Sequence, residues 1–158
     1  MPKAIKQPLF DSHGSDEVIV HTDGGSRGNP GPSAIGVVIK SSDGSLKKSY
    51  GEYIGETTNN EAEYKAAIFA LKKLKQLAGK ETAGGASVEV LLDSELVAKQ
   101  MNGHYKIVDK NMQLLFVELW NLRLDFGNVA FRHISREDNH DADKLVNAAL
   151  DKELNKLL

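Results

Sequence analysis

Val18–Ile54 reads VIVHTDGGSRGNPGPSAIGVVIKSSDGSLKKSYGEYI, and its punctuation decides the fold. The β-branched run Val18–Thr22 predicts a strand, stopped by Asp23-Gly24-Gly25. Ala34–Lys40 is a second apolar strand. Asp43-Gly44 is a strong hairpin turn into a third, Ser45–Ile54. Three consecutive strands with short connections form an antiparallel meander.

Beyond Ile54 the apolar period lengthens from two to that of a helix. Glu63, Ala67, Ala70, Leu71 and Leu74 share one face of a helix from about Asn60 to Leu77. Gly79 and Gly84-Gly85 bracket a loop. Ser87–Asp93 is a strand, and Ser94–Met101 a short helix closed by Asn102-Gly103. Asn111–Asp125 is a helix with Leu115, Leu119 and Leu122 on its stripe. Asn128–Ser135 is the fifth strand, and His140–Lys156 the last helix, with Ala142, Leu145, Val146 and Ala149 inward. A meander followed by alternating units predicts an α/β fold, a mixed sheet with helices packed on it. Strands one, four and five can run parallel through helical crossovers. Their C-terminal ends then share one edge, where open α/β sheets bind ligands. Residues 1–16 carry Pro2, Pro8, Gly14 and charges without period and read as a flexible tail. Residues 17–158 read as one domain.

The 158 residues suffice for one domain with a real core. A net charge of −2 argues against an indiscriminate grip on a polyanion, although a local groove can still be basic. Lys65, Lys72, Lys73, Lys75 and Lys80 form the best such patch, but read better as a solvated helix face and its end. The absence of cysteine excludes disulfides and thiolate metal sites and fits a reducing compartment. No apolar stretch approaches the roughly 20 residues of a membrane span. A cytoplasmic monomer with no membrane partner is the expectation.

Four carboxylates stand out. Asp23 opens TDGGSRGNPGP, Glu63 sits in TTNNEAEYKAAI, Asp93 ends VEVLLD, and Asp143 lies in HISREDNHDADKLVNAA. Each has a local explanation: a turn for Asp23, a capping box from Asn60 for Glu63, an N-cap for Asp93, and a helix dipole for Asp143. Four together, at strand ends and helix starts brought to one edge, are poorly explained that way. Such a cluster cannot stay ionised near neutral pH without neutralisation. Hard divalent cations with oxygen ligands supply it, and a pair of them cuts phosphodiesters. Gly24, Gly25, Gly28 and Gly31 allow close backbone approach. Asn29, Thr58, Asn59 and Asn60 offer neutral groups suited to a 2′-hydroxyl, the mark of RNA.

TDGGSRGNPGP, TTNNEAEYKAAI, LLDSELV and ADKLVNAA together resemble the type 1 ribonuclease H family in order and spacing, over Val18–Leu150. The resemblance implies a five-stranded sheet in the order 3-2-1-4-5 with helices on both faces. It implies endonucleolytic cleavage of the RNA strand of RNA–DNA hybrids, leaving 5′-phosphate and 3′-hydroxyl ends. It implies two magnesium or manganese ions held by Asp23, Glu63, Asp93 and Asp143. Asn29, Asn59 and Asn60 match positions touching the hybrid's minor groove, and Thr58 and Asn111 a pocket for a DNA-strand phosphate.

The chain departs from the best-known bacterial members twice. It lacks their basic helical protrusion, since Gly103 leads through HYKIVDK to Asn111, so substrate grip is either weaker or rests on Tyr105, Lys106 and Lys110. A short HISREDNHD replaces the glycine-rich loop and its assisting histidine. The pattern resembles a compact subgroup, with Arg136 and Glu137 as loop helpers and His133 reading as the end of a strand. Some relatives in that subgroup attack double-stranded RNA, which stays open as a further substrate. The rivals are a non-catalytic hybrid-binding module, which loss of a carboxylate would favour, and a DNA nuclease, which the asparagine set opposes.

Overall fold

A computed structural model of the chain describes residues 17–156. The expected tail, residues 1–16, lies outside them. The strands are β1 (Glu17–Ser26), β2 (Gly31–Ser41), β3 (Lys47–Thr57), β4 (Ser87–Leu92) and β5 (Asn128–His133). The helices are α1 (Asn59–Ala78), α2 (Lys80–Gly85), α3 (Glu95–Met101), α4 (Lys110–Leu122) and α5 (His140–Asn155). One sheet runs β3-β2-β1-β4-β5. The meander β1-β2-β3 is antiparallel, and β1-β4-β5 are parallel, as the sequence predicts.

Helices cover both faces. Val18, Val20, Val37, Ile39, Val88 and Val90 meet Ala67, Leu71 and Leu74 of α1 in the main core, and α3 and α4 close that side through Val97, Met101 and Leu119. The other face is thinner: Ala34 packs against Val146 and Leu150 of α5. The predicted stripe of α1 is buried throughout, because helical period alone fixes which residues share a face. Among the described residues no helix is long and apolar enough to cross a membrane.

Two local expectations are corrected. β1 does not stop at Asp23 but runs through both glycines, with Gly24 opposite Ile35 and Gly25 opposite Ala34. The ladder outweighs the turn preference of Asp-Gly. Lys80–Gly85 is a short helix rather than a loop, despite its glycines, with Ala83 fully buried beneath it.

Two glycines position the site. A Cβ on Gly24 would lie 2.3 Å from the carbonyl carbon of Ala62 and 2.6 Å from the nitrogen of Glu63, so α1 sits directly on β1 there. Gly36 is the cross-strand neighbour of Asp23, and a Cβ on it would lie 2.1 Å from the carbonyl oxygen of Ala142 in α5. Missing side chains therefore bring the helix segments of Glu63 and Asp143 onto the strands around Asp23.

Candidate active site

Asp23 lies inside β1, Glu63 one turn into α1, Asp93 just after β4, and Asp143 in the first turn of α5. One carboxylate oxygen from each of Asp23, Glu63 and Asp93 lies within 4.8 Å of the others. Asp143 stands outside this tight group but lines the same cleft, of about 380 Å³, and its charge reaches Asp23. Asn147 donates to the Asp143 backbone oxygen at 3.1 Å and to its Oδ2 at 3.5 Å.

Burial makes this cluster expensive. Asp23 is 6% and Glu63 8% exposed. Burial, then the charge of Asp93, pushes Asp23 up to about 7, against a side-chain hydrogen bond from Glu63 that lowers it. Burial, then the charges of Asp23 and Asp93, pushes Glu63 well above the usual range. Glu63 Oε2 is buried without any hydrogen-bond donor. An acceptor left bare beside two more carboxylates is suited to a hard cation with oxygen ligands.

The local alternatives are resolved by the caps. The capping box of α1 is Thr58 with Glu61, not Asn60 with Glu63: the Thr58 hydroxyl accepts from the Glu61 nitrogen at 3.2 Å. Ser94, not Asp93, caps α3 and accepts from the Val97 nitrogen. Neither Glu63 nor Asp93 is thus needed as a helix cap.

The glycine loop and α1 are clasped through amides. Asn59 Oδ1 accepts from the Ser26 nitrogen at 2.9 Å, and Asn29 Oδ1 accepts from the Asn59 nitrogen at 3.0 Å. Asn59 and Asn60 line the cleft. Thr58 and Asn111 do not line it. They stand at the N-terminal ends of α1 and α4, which run parallel, since Lys72 pairs with Glu118 and Lys75 with Asp125. Those pairs also neutralise part of the lysine patch, in keeping with a solvated face. Arg136 lines the cleft, its Nε 3.9 Å from Asp93 Oδ2. His133 ends β5 and Glu137 sits in a turn of 3-10 helix, both exposed and outside the cleft lining.

A family model described as reverse transcriptase-like matches residues 21–149. LC11-RNase H1, isolated from compost and solved with an RNA/DNA hybrid, superposes with a TM-score of 0.81 at 45% identity, over 87% of this chain and 99% of that one. The chain belongs to the type 1 ribonuclease H family. The RNase H1 structure of the halophilic archaeon Halobacterium salinarum is similar with a TM-score of 0.79 and 38% identity, over 86% of this chain and 98% of that one. Among curated ribonuclease H relatives, the Ribonuclease HI of that archaeon is 39% identical over 134 residues, 85% of this chain. A bifunctional protein of Mycobacterium tuberculosis is 37% identical over 136 residues, again 85% of this chain. The chain spans 64% and 36% of these two proteins' own lengths.

Sequence reasoning missed three residues around the cleft. Asn139 is 1% exposed and donates from Nδ2 to the Thr22 oxygen at 2.8 Å, tying the start of α5 to β1 beside Asp23. Asn147 follows Asp143 by one helical repeat, a spacing legible in the sequence. Arg27 lines the cleft from inside the glycine motif, where a charged residue was signal enough.

Proposed function

We propose that the chain is a metal-dependent endoribonuclease that hydrolyses the RNA strand of RNA–DNA hybrids, leaving 5′-phosphate and 3′-hydroxyl ends. The observation carrying this reading is the buried carboxylate group Asp23–Glu63–Asp93, with its bare Glu63 oxygen, on the floor of an open polar cleft. The donor set is all oxygen, which fits magnesium or manganese. Asp23, Glu63, Asp93 and Asp143 would hold two ions. When bound, such a pair activates water for in-line attack on the scissile phosphorus and neutralises the departing 3′ oxygen.

The chain's own residues do the rest. Buried Asp23 and Glu63 fix the cluster from two elements at once. Asp143, more exposed and held by Asn147, is the more adjustable member. Asn29, Asn59 and Asn60 are assigned to the minor groove, where amides can donate to and accept from 2′-hydroxyls. Thr58 and Asn111 are assigned to a phosphate of the DNA strand. Arg136 is the loop's contribution rather than Glu137 or His133, because it alone of the three lines the cleft. A guanidinium beside Asp93 can hold a phosphate but cannot serve as a base.

The LC11 enzyme's complex with an RNA/DNA hybrid supports this substrate. Double-stranded RNA presents the same 2′-hydroxyls, so it belongs in the test. Labelled RNA–DNA, RNA–RNA and DNA–DNA duplexes are incubated with magnesium, with manganese and with excess chelator. Metal-dependent cutting of the hybrid's RNA strand is expected. Full cleavage in chelator, or equal cutting of the DNA duplex, rejects the proposal.

A further inference from the structure

Arg27 is a cation in the glycine loop, between β1 and β2. Its Nη2 lies 2.7 Å from Asp151 Oδ1 and 3.5 Å from both the backbone oxygen and Oδ1 of Asn147. Asp143, Asn147 and Asp151 occur every fourth residue and so share one stripe of α5. At ~1.5 Å per residue, the stripe carries the guanidinium roughly 6–12 Å from Asp143 along the helix. Neighbouring phosphates on one nucleic-acid strand are spaced on that scale. The cleft's two arginines thus stand at different points on its rim: Arg136 beside Asp93, and Arg27 over α5.

The ion pair with Asp151 is weakly committed. Its side chains are 37% and 62% exposed, and surface pairs of this kind contribute little to stability. A phosphate offers a guanidinium two charged oxygens in matching geometry and can displace such a carboxylate. We infer that Arg27 is a phosphate-binding arm of the cleft, gripping an RNA-strand phosphate next to the one cut, while Asp151 parks the guanidinium until nucleic acid arrives. Asn147 lies between the parked arm and Asp143, so the arm and the carboxylate cluster share one rigid support. This assignment rests on the ribonuclease reading above.

The simpler alternative is a strut pinning the glycine loop to α5. Hybrid binding by fluorescence anisotropy in EDTA, between about 50 and 200 mM salt, separates the two. Arg27→Ala is expected to weaken binding several-fold and to flatten the dependence of log affinity on log salt by about one unit. Arg27→Lys keeps the slope with reduced affinity, and Asp151→Asn tightens binding by freeing the arm. Neutral methylphosphonates placed singly along the RNA strand locate the contact: one position costs wild type affinity and costs Arg27→Ala none. An unchanged salt slope in Arg27→Ala, with or without a lower melting temperature, makes the residue a strut and overturns the inference. Cleavage by wild type in magnesium is scored separately, so failure of the ribonuclease reading shows there and not in the salt slope.

Discussion

On the proposed reading, Asp23 has to be buried and, once a cation arrives, charged. In the unfolded chain its proton leaves near 3.8, whereas in the metal-free fold it is held to about 7. Between these values the folded state binds more protons than the unfolded state, so stability falls as pH rises through that window. Below it the group costs nothing; above it the cost is complete, on the order of a few kcal/mol. Glu63 is shifted in the same direction by the same burial. Removing one charge should therefore stabilise the fold in metal-free solution while abolishing the proposed hydrolysis. Asp23→Asn is expected to melt higher than wild type without metal near pH 8, and to flatten the melting profile between about pH 5 and 7. Its hydrolytic activity should drop by orders of magnitude. Melting temperature against pH, with and without magnesium, checks this; a wild-type profile already flat without metal contradicts it.

At the level of elements, two glutamates two residues apart in α1 have different employment. Glu61 Oε2 accepts from the hydroxyls of Thr57 at 2.7 Å and Thr58 at 3.0 Å, completing the cap of α1. Glu63 has no such work. Thr58→Ala should remove about 1 kcal/mol of stability and roughly 2–4 °C of melting temperature. Glu61→Gln should shift melting with turnover close to wild type, while Glu63→Gln should abolish turnover and leave the fold intact. Calorimetry and turnover on the same samples decide it, and the reverse pattern would mean the helix register had been misread. The elements were largely legible beforehand, because the periodicities that mark them are local. What escaped was set by contacts beyond the window: the ladder through Gly24 and Gly25, and the burial of Ala83 that stabilises α2.

For the molecule as a whole, the decisive contacts join layers. Gly36 lets α5 press on the sheet beside Asp23, and a methyl group there meets backbone, which cannot turn aside. Gly36→Ala should destabilise by several kcal/mol and cut turnover, because Asp143 is carried away from the cluster. Gly84→Ala is the control: nothing lies within 4 Å of its added Cβ, and alanine suits the short helix better. Comparable losses of melting temperature and turnover in both variants would show that the close approach of α5 is not what holds Asp143 in place.

The sequence by itself determined the order of elements and the faces the helices bury, since residues a few positions apart set these through the backbone's own repeats; the four carboxylates stood out only by their place in the motifs. It also left the matching motifs in order, enough to identify the family. Only the tertiary structure decided that Asp23, Glu63 and Asp93 converge within 4.8 Å with Asp143 set slightly apart. Only it could show Asn139 bonded to Thr22, 117 positions away, or Arg27 paired with Asp151 across the cleft rim. A glycine is visible in a sequence, but the backbone it admits is not. Gly24 and Gly36 acquire their meaning from Ala62 and Ala142, which no local period connects to them.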